Sequence, residues 1–389
     1  MKKALIITSA LLFSIGTVLA QGNTAYVDQS GDGENYSTVD QIGAGNEADV
    51  DQVATDPYEY DNVSDVDQMG NGNDATVDQE GEGNNDATTD QYGNGNVSWT
   101  WQYGEDNVVD VDQDGNGNSA KDHQTGDDNL STTTQDGDGN ISHVDQYGGW
   151  YGSDDNVSDV DQMGDGNDNF VKQAGDDNNS DVYELGNGNM ANTEQYGNDN
   201  ESDIDQIGNG NMADVEQHGY YIESDVYSDR NGNEADGYQD GWWNDAWTTQ
   251  IGDGNMSGIS QDGNMNDAWT YQYTDGNSSV VVQDGNANDS YVKQHIGDGN
   301  TSDVDQEGLH QDSWVHQHGA GNMVEVDQMG GFNDSDIDQL GDGNTAETMQ
   351  DGLVNYSDVN QWDNGNEAYT NQVGNDNYSL INQSAADRK

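Results

Sequence analysis

The chain has 389 residues, of which 77 are Asp or Glu and 8 are Lys or Arg, for a formal net charge of -69. That balance makes nucleic acid and anionic membrane surfaces poor partners and small cations the natural counterions. There is no cysteine, hence no disulfide and no thiolate metal site, and 30% apolar residues with this much charge is a composition typical of disorder unless ladders of hydrogen bonds supply the order.

In chain order, residues 1–20 come first. A Lys2-Lys3 start, an apolar run and a V-L-A ending at Ala20 predict a secretory signal peptide, cleaved before Gln21, and so an exported, extracellular protein. No later segment is apolar enough to predict a membrane span. From Gln29 on the sequence keeps a beat: Gln29, Gln41, Gln52, Gln68, Gln79 and so on to Gln372 and Gln383 fill 32 slots, with Glu184 and Ser228 as the two replacements. Most steps are 11 residues; one extra residue precedes Gln41, Gln91 and Gln306, and five extra precede Gln68 and Gln162. Six residues before each slot stands Asn, except at Ile222 and Gln311, and four before stands Ala or Ser, except at Val109, Asn169 and Val324. Two before comes Val, Ile or Thr, except at Asp122 and Gly237, and Gly usually follows two after.

Positions two apart share one face of an extended chain, so the Asn, small, β-branched and Gln slots lie together and the acids, such as Asp159, Asp161, Asp203 and Asp205, lie opposite. Each unit predicts a short strand, and its x-G-x-x-N predicts the turn. The expected fold is all-β, a two-strand-per-coil β-solenoid of 16 coils of 22 residues over 21–383, followed by a short polar tail, 384–389. Residue n then lies over n+22 in parallel, so like amides bond along columns, in a rod of roughly 75 Å at the ~4.8 Å strand spacing. The alternation of Ala191, Ser202, Ala213, Ser224 and Ala235 supports two units per coil. Pro57, the single proline, falls in the insertion between Gln52 and Gln68, and the other long insertion, around Gly148 to Gly152, also falls at a turn, where neither interrupts a ladder.

Stacked carboxylates ~4.8 Å apart repel by roughly 0.9 kcal/mol in water, less with salt, so salt, divalent cations and mild acid are expected to favour assembly. Diffuse screening by Ca2+ or another cation is expected, with no cofactor and no discrete metal centre. Asp110 to Gly115 opens like an EF-hand loop, but Lys121 stands where the bidentate Glu belongs. The G-D-G-N turns at Gly164, Gly252, Gly297 and Gly341 resemble calcium-binding nonapeptides, on the wrong period. His316 and His318 share a face, but two ligands make a weak site. Trp247, Trp269, Tyr291 and Trp314 occupy the slot three before Gln in alternate units and should form one outward column, beside Tyr271, Lys293 and His316. Such a column either stabilises the ladder by stacking or offers a sticky face for lateral association or for carbohydrate rings. No Ser-His-Asp arrangement emerges, and the chain is not expected to be an enzyme.

The repeat resembles that of curlins, the subunits of curli fibres, with units of the form S-x5-Q-x-G-x-x-N-x-A-x3-Q. Ser37 to Gln52 and Ser202 to Gln217 carry the core Q-x-G-x-x-N-x-A-x-V-x-Q in Gln41, Gly43, Asn46, Ala48 and Gln52, and in Gln206, Gly208, Asn211, Ala213 and Gln217. The resemblance implies a secreted amyloid subunit that self-assembles into surface fibres for biofilm matrix and adhesion, served by an export pore and a nucleating partner. Here the Ser lies four rather than six before Gln, the units are more numerous, and the acid content is far higher. The alternative is a stand-alone acidic solenoid that binds polysaccharide, divalent cations or ice; outward Thr, which ice binding favours, is confined to runs such as Thr132 to Thr134.

Overall fold

A computed structural model describes residues 22–31, 35–55, 62–148 and 154–384. The expected signal peptide, Pro57, residues 149–153 of the second long insertion and residues 385–389 of the tail lie outside them. The described residues form 32 strands, from β1 (Thr24–Gly31) and β2 (Asn35–Ala44) to β31 (Glu367–Val373) and β32 (Tyr378–Ser384), and no helix. They make two 16-stranded sheets, one of the odd-numbered and one of the even-numbered strands, and each strand pairs in parallel with the next but one. This is the two-strand-per-coil solenoid read from the repeat.

The alternation of side chains decides which face turns inward. Asn46, Ala48, Val50 and Gln52 are fully buried while the acids between them face water, and the pattern recurs coil after coil. Like pairs with like: Ala191 with Ala213, Ser202 with Ser224, Gln195 with Gln217. Between the sheets runs a thin dry seam in which the slot two before Gln on one strand meets the slot four before Gln on the following strand. Thr193 Oγ1 lies 3.4 Å from Ser202 Oγ across it. A stack of β-branched residues such as Val160, Val182, Ile204 and Val226 fills its middle. Insertions leave this register intact, since Gln29 bonds Gln52 over 23 residues and Gln52 bonds Gln79 over 27. Of the extra residues that are described, the one before Gln306 falls between the strands Asp289–His295 and Thr301–Leu309, and the one before Gln91 enters as a register shift between Glu80 and Gly83 at the end of the strand Asp74–Gly83.

Two glycine slots shape those arcs for different reasons. Two after Gln, as at Gly241 (φ 129), a Cβ would sit 1.6 Å from the carbonyl oxygen of Gly263 in the next coil, so backbone packs on backbone there. Four after Gln, as at Gly254 (φ 67), the backbone is left-handed but no atom lies within 4 Å. Only the first slot is sterically closed. Gly241→Ala should therefore lower stability by about 3 kcal/mol or more, by strain plus overpacking. Gly254→Ala should cost about 1–2 kcal/mol. Urea midpoints of the two variants measure the difference, and equal shifts would contradict this distinction.

Candidate assembly interface

The Gln columns bind coil to coil. Gln113 Nε2 donates to Gln135 Oε1 at 2.8 Å and to the Val97 carbonyl oxygen of the opposite sheet at 3.1 Å. One amide thus links successive coils and closes the seam between sheets. The Asn columns clamp the arcs: the Asn118 amide N–H donates to Asn96 Oδ1 at 3.0 Å, and its Nδ2 to the Gly137 carbonyl oxygen at 2.8 Å. Every Gln-to-Gln bond runs from donor to acceptor in the N-to-C direction, from Gln29 to Gln52 at one end and Gln361 to Gln383 at the other.

Among the described residues both ends of the rod are open. β1 pairs only with β3 (Glu47–Ala54), and β2 only with β4 (Asn62–Asn71). β31 pairs only with β29 (Thr345–Leu353), and β32 only with β30 (Tyr356–Trp362). Each end therefore offers two unpaired strand edges. Side chains that are sealed elsewhere lie open there: Val27 is 48% exposed, and Val39 and Ile381 are half-buried. Among the described residues no side chain donates to Oε1 of Gln29 or Gln41, while Gln372 and Gln383 spend one amide hydrogen on the Tyr356 and Glu367 carbonyls.

Two acids enter the seam. Asp122 takes the place of Val and accepts from Ser131 Oγ at 2.5 Å and Thr133 Oγ1 at 3.3 Å, while burial pushes its carboxyl up to about 6. Glu184 stands in the Gln column, and burial pushes it up to about 8. Gln162 Nε2 donates to its Oε2 at 2.7 Å, but Glu184 Oε1 and Gln206 Oε1, on the next rung, are both buried without a partner. One proton on Glu184 satisfies both oxygens, so the neutral acid completes the ladder and the carboxylate breaks it.

The acids outside the seam form columns as well. Asp159, Asp181, Asp203 and Asp225 stack on four successive coils. Partial burial first, then the charges of neighbours, push Asp203 up to about 6 and Asp225 to about 7. The same column continues into Trp247, Trp269, Tyr291 and Trp314, which the pairing register sets one above another. Tyr291 and Trp314 stack with centroids 4.1 Å apart, and Trp247 and Trp314 are the exposed members. Beside it the His316 and His295 rings stack at 4.6 Å, and burial with the charges of His316, His318 and Lys293 lowers His295 to about 4. His316 Nδ1 lies 3.4 Å from Asp338. Among the described residues no group of three His, Asp or Glu side chains has metal-ligating geometry.

A further cluster brings Lys121, His123, His143 and Asp145 together. Lys121 Nζ lies 2.7 Å from His143 Nε2, and Asp145 Oδ1 lies 3.1 Å from His143 and 3.5 Å from His123. The n/n+22 pairs Lys121 with His143 and His123 with Asp145 were the available signal.

Two outcomes are expected. Native carboxyls raised above their unfolded values bind extra protons between about pH 4 and 7, so stability rises as pH falls through that window. The melting temperature should climb from pH 7.5 to pH 5, and added CaCl2 should raise it more at pH 7.5 than at pH 5; the reverse order in thermal scans would contradict the repulsion described. For Glu184 the window runs from about 4.5 to 8, and above it the buried carboxylate costs on the order of 5 kcal/mol. Glu184→Gln should melt with wild type below pH 5 and several degrees above it at pH 9, and a pH-independent difference would mean that no proton is held there.

Four stretches, 83–115, 186–219, 281–308 and 319–352, match the curlin associated repeat. No curated protein matches the chain.

Proposed function

We propose that this chain, a curlin-type repeat protein, is an exported structural subunit that polymerises end to end into extracellular amyloid fibres serving biofilm matrix and adhesion. The carrying observation is the pair of open ends. Continuing the rod by one coil sets Ala368 on Ala25, Thr370 on Val27 and Gln372 on Gln29 of the next copy in one sheet. In the other it sets Ser379 on Ser37, Ile381 on Val39 and Gln383 on Gln41. Each contact repeats one already made inside the subunit. The spare amide hydrogens of Gln372 and Gln383 meet the acceptor oxygens of Gln29 and Gln41, so the junction is head to tail. An interface between two different surfaces does not close on itself, and it propagates as a filament.

The curlin repeat further supports a nucleating partner and an export pore for this subunit. The column of Trp247, Trp269, Tyr291 and Trp314 runs along the side of the rod, away from the ends, so it suits lateral association or polysaccharide contact after the fibre has formed.

Val27→Asp with Ile381→Asp tests the end-to-end reading. Both side chains are accessible at the ends of an isolated rod, whereas stacking buries an unpaired carboxylate, which costs several kcal/mol. Elongation followed by light scattering and negative-stain microscopy should slow at least tenfold with the circular dichroism of the rod retained. Fibres growing at the wild-type rate, or a wild-type chain that remains a monomeric rod in calcium-containing buffer, would overturn the proposal.

A further inference from the structure

The two arcs of each coil differ in a way that the fold does not require. In the arcs after the even-numbered strands the slot four after Gln is glycine except at Asp298, in the arc with an extra residue that also holds Ile296 (φ 55); Gly95, Gly117, Gly139 and Gly166 have φ of 70, 72, 71 and 67, and a Cβ there would meet no atom within 4 Å. After the odd-numbered strands the described slots from Asp106 on carry side chains in the same left-handed conformation. In the N-terminal half these are Asp106, Asp128, Asp177 and Asp199, a residue type that tolerates this backbone. From the middle of the rod they change to Tyr221, Trp243, Met265, Phe332 and Val354, with φ between 54 and 60, and Ala287 and His310 fill the slots between Met265 and Phe332. All five are more than half exposed.

A large apolar side chain there gains nothing from burial and holds a backbone that favours glycine, least suitably at the β-branched Val354. Ring contacts compensate at two places, where Tyr221 meets Trp243 at 6.0 Å and His310 stacks on Phe332 at 5.0 Å. Met265 and Val354 carry no ring that could stack. The row spans seven successive arcs, about 29 Å at ~4.8 Å per coil.

Acids border the row on both sides. Asp240, Asp262, Asp284 and Glu307 occupy the slot just after Gln on the odd-numbered strands. Asp245, Asp267, Asp289 and Asp312 open the strands that follow. Burial and the charges of Asp245 and Asp289 push the Asp267 carboxyl up to about 6, so these columns are crowded with like charge.

We infer that this edge is a docking surface for a cationic amphipathic helix of another protein, its apolar stripe on the row from Tyr221 to Val354 and its Lys and Arg against the flanking acids. A helix of about 20 residues is ~30 Å long and carries such a stripe between charged borders. A second copy of this chain fits poorly. Row against row would bring four acid columns together, like charge against like charge. The row lies on the side of the rod, so its failure as a docking surface would leave end-to-end assembly intact.

The test uses the peptide (LKKLLKL)3 as probe and, as control, a peptide of the same composition scrambled to remove the stripe. Binding is measured by fluorescence anisotropy at 150 mM salt, with the chain below its assembly concentration. Wild type should bind the amphipathic peptide at least tenfold tighter than the scramble. A variant carrying Tyr221→Gly, Trp243→Gly, Met265→Gly, Phe332→Gly and Val354→Gly should lose that margin while melting no lower than wild type, because glycine is the residue the opposite arc uses. The same five positions changed to Asn, which already holds this conformation at Asn84 (φ 62), give a second variant should the first fail to fold. Equal binding of both peptides to wild type, or an undiminished margin in the variants, would overturn the inference, as would ridge-dependent dimers of the chain alone in sedimentation velocity.

Discussion

The structure depends on the hydrogen bond from one glutamine amide to the glutamine one coil on. Gln113 reaching Gln135 also reaches the backbone of the other sheet, so a single side chain sets the axial register and the width of the seam together. Such a bond contributes about 1 kcal/mol net, and the repulsion between stacked carboxylates in water is of similar size. A rod built this way is held by many small terms of opposing sign. Protons and cations shift the balance because they act on the repulsive terms alone.

The same column that folds the chain underlies the end-to-end assembly we propose. The seam is sealed in the interior by the coil above and the coil below, and at β1, β2, β31 and β32 one of those is missing. In the proposed fibre a coil would meet its neighbour in the next copy through the same contacts that it makes within its own chain. The bonding pattern itself has no natural stop.

How far the sequence discloses this varies by residue. The register was legible because Asn, Ala or Ser, Val and Gln recur at fixed offsets, and alternation forces them to one face. The stack of Trp247, Trp269, Tyr291 and Trp314 was legible for the same reason. Asp122 and Glu184 stood out as exceptions, but their accommodation depends on partners in other units: Ser131 and Thr133 for the first, a proton shared with Gln206 for the second. The row from Tyr221 to Val354 was hidden, because its slot looks unrestricted in the repeat. Only the left-handed backbone shows that these residues stand where glycine fits best.

The insertions have a consequence for how such a chain changes length. Despite an extra residue before Gln41 and five before Gln68, the glutamines above and below still meet. Errors of copying are therefore absorbed locally and never accumulate along the axis. Duplication or loss of one 22-residue module changes the rod by a single step of ~4.8 Å and leaves both junction surfaces as they were. The polypeptide acts as a ruler whose graduations can be added or removed without recalibrating the remainder.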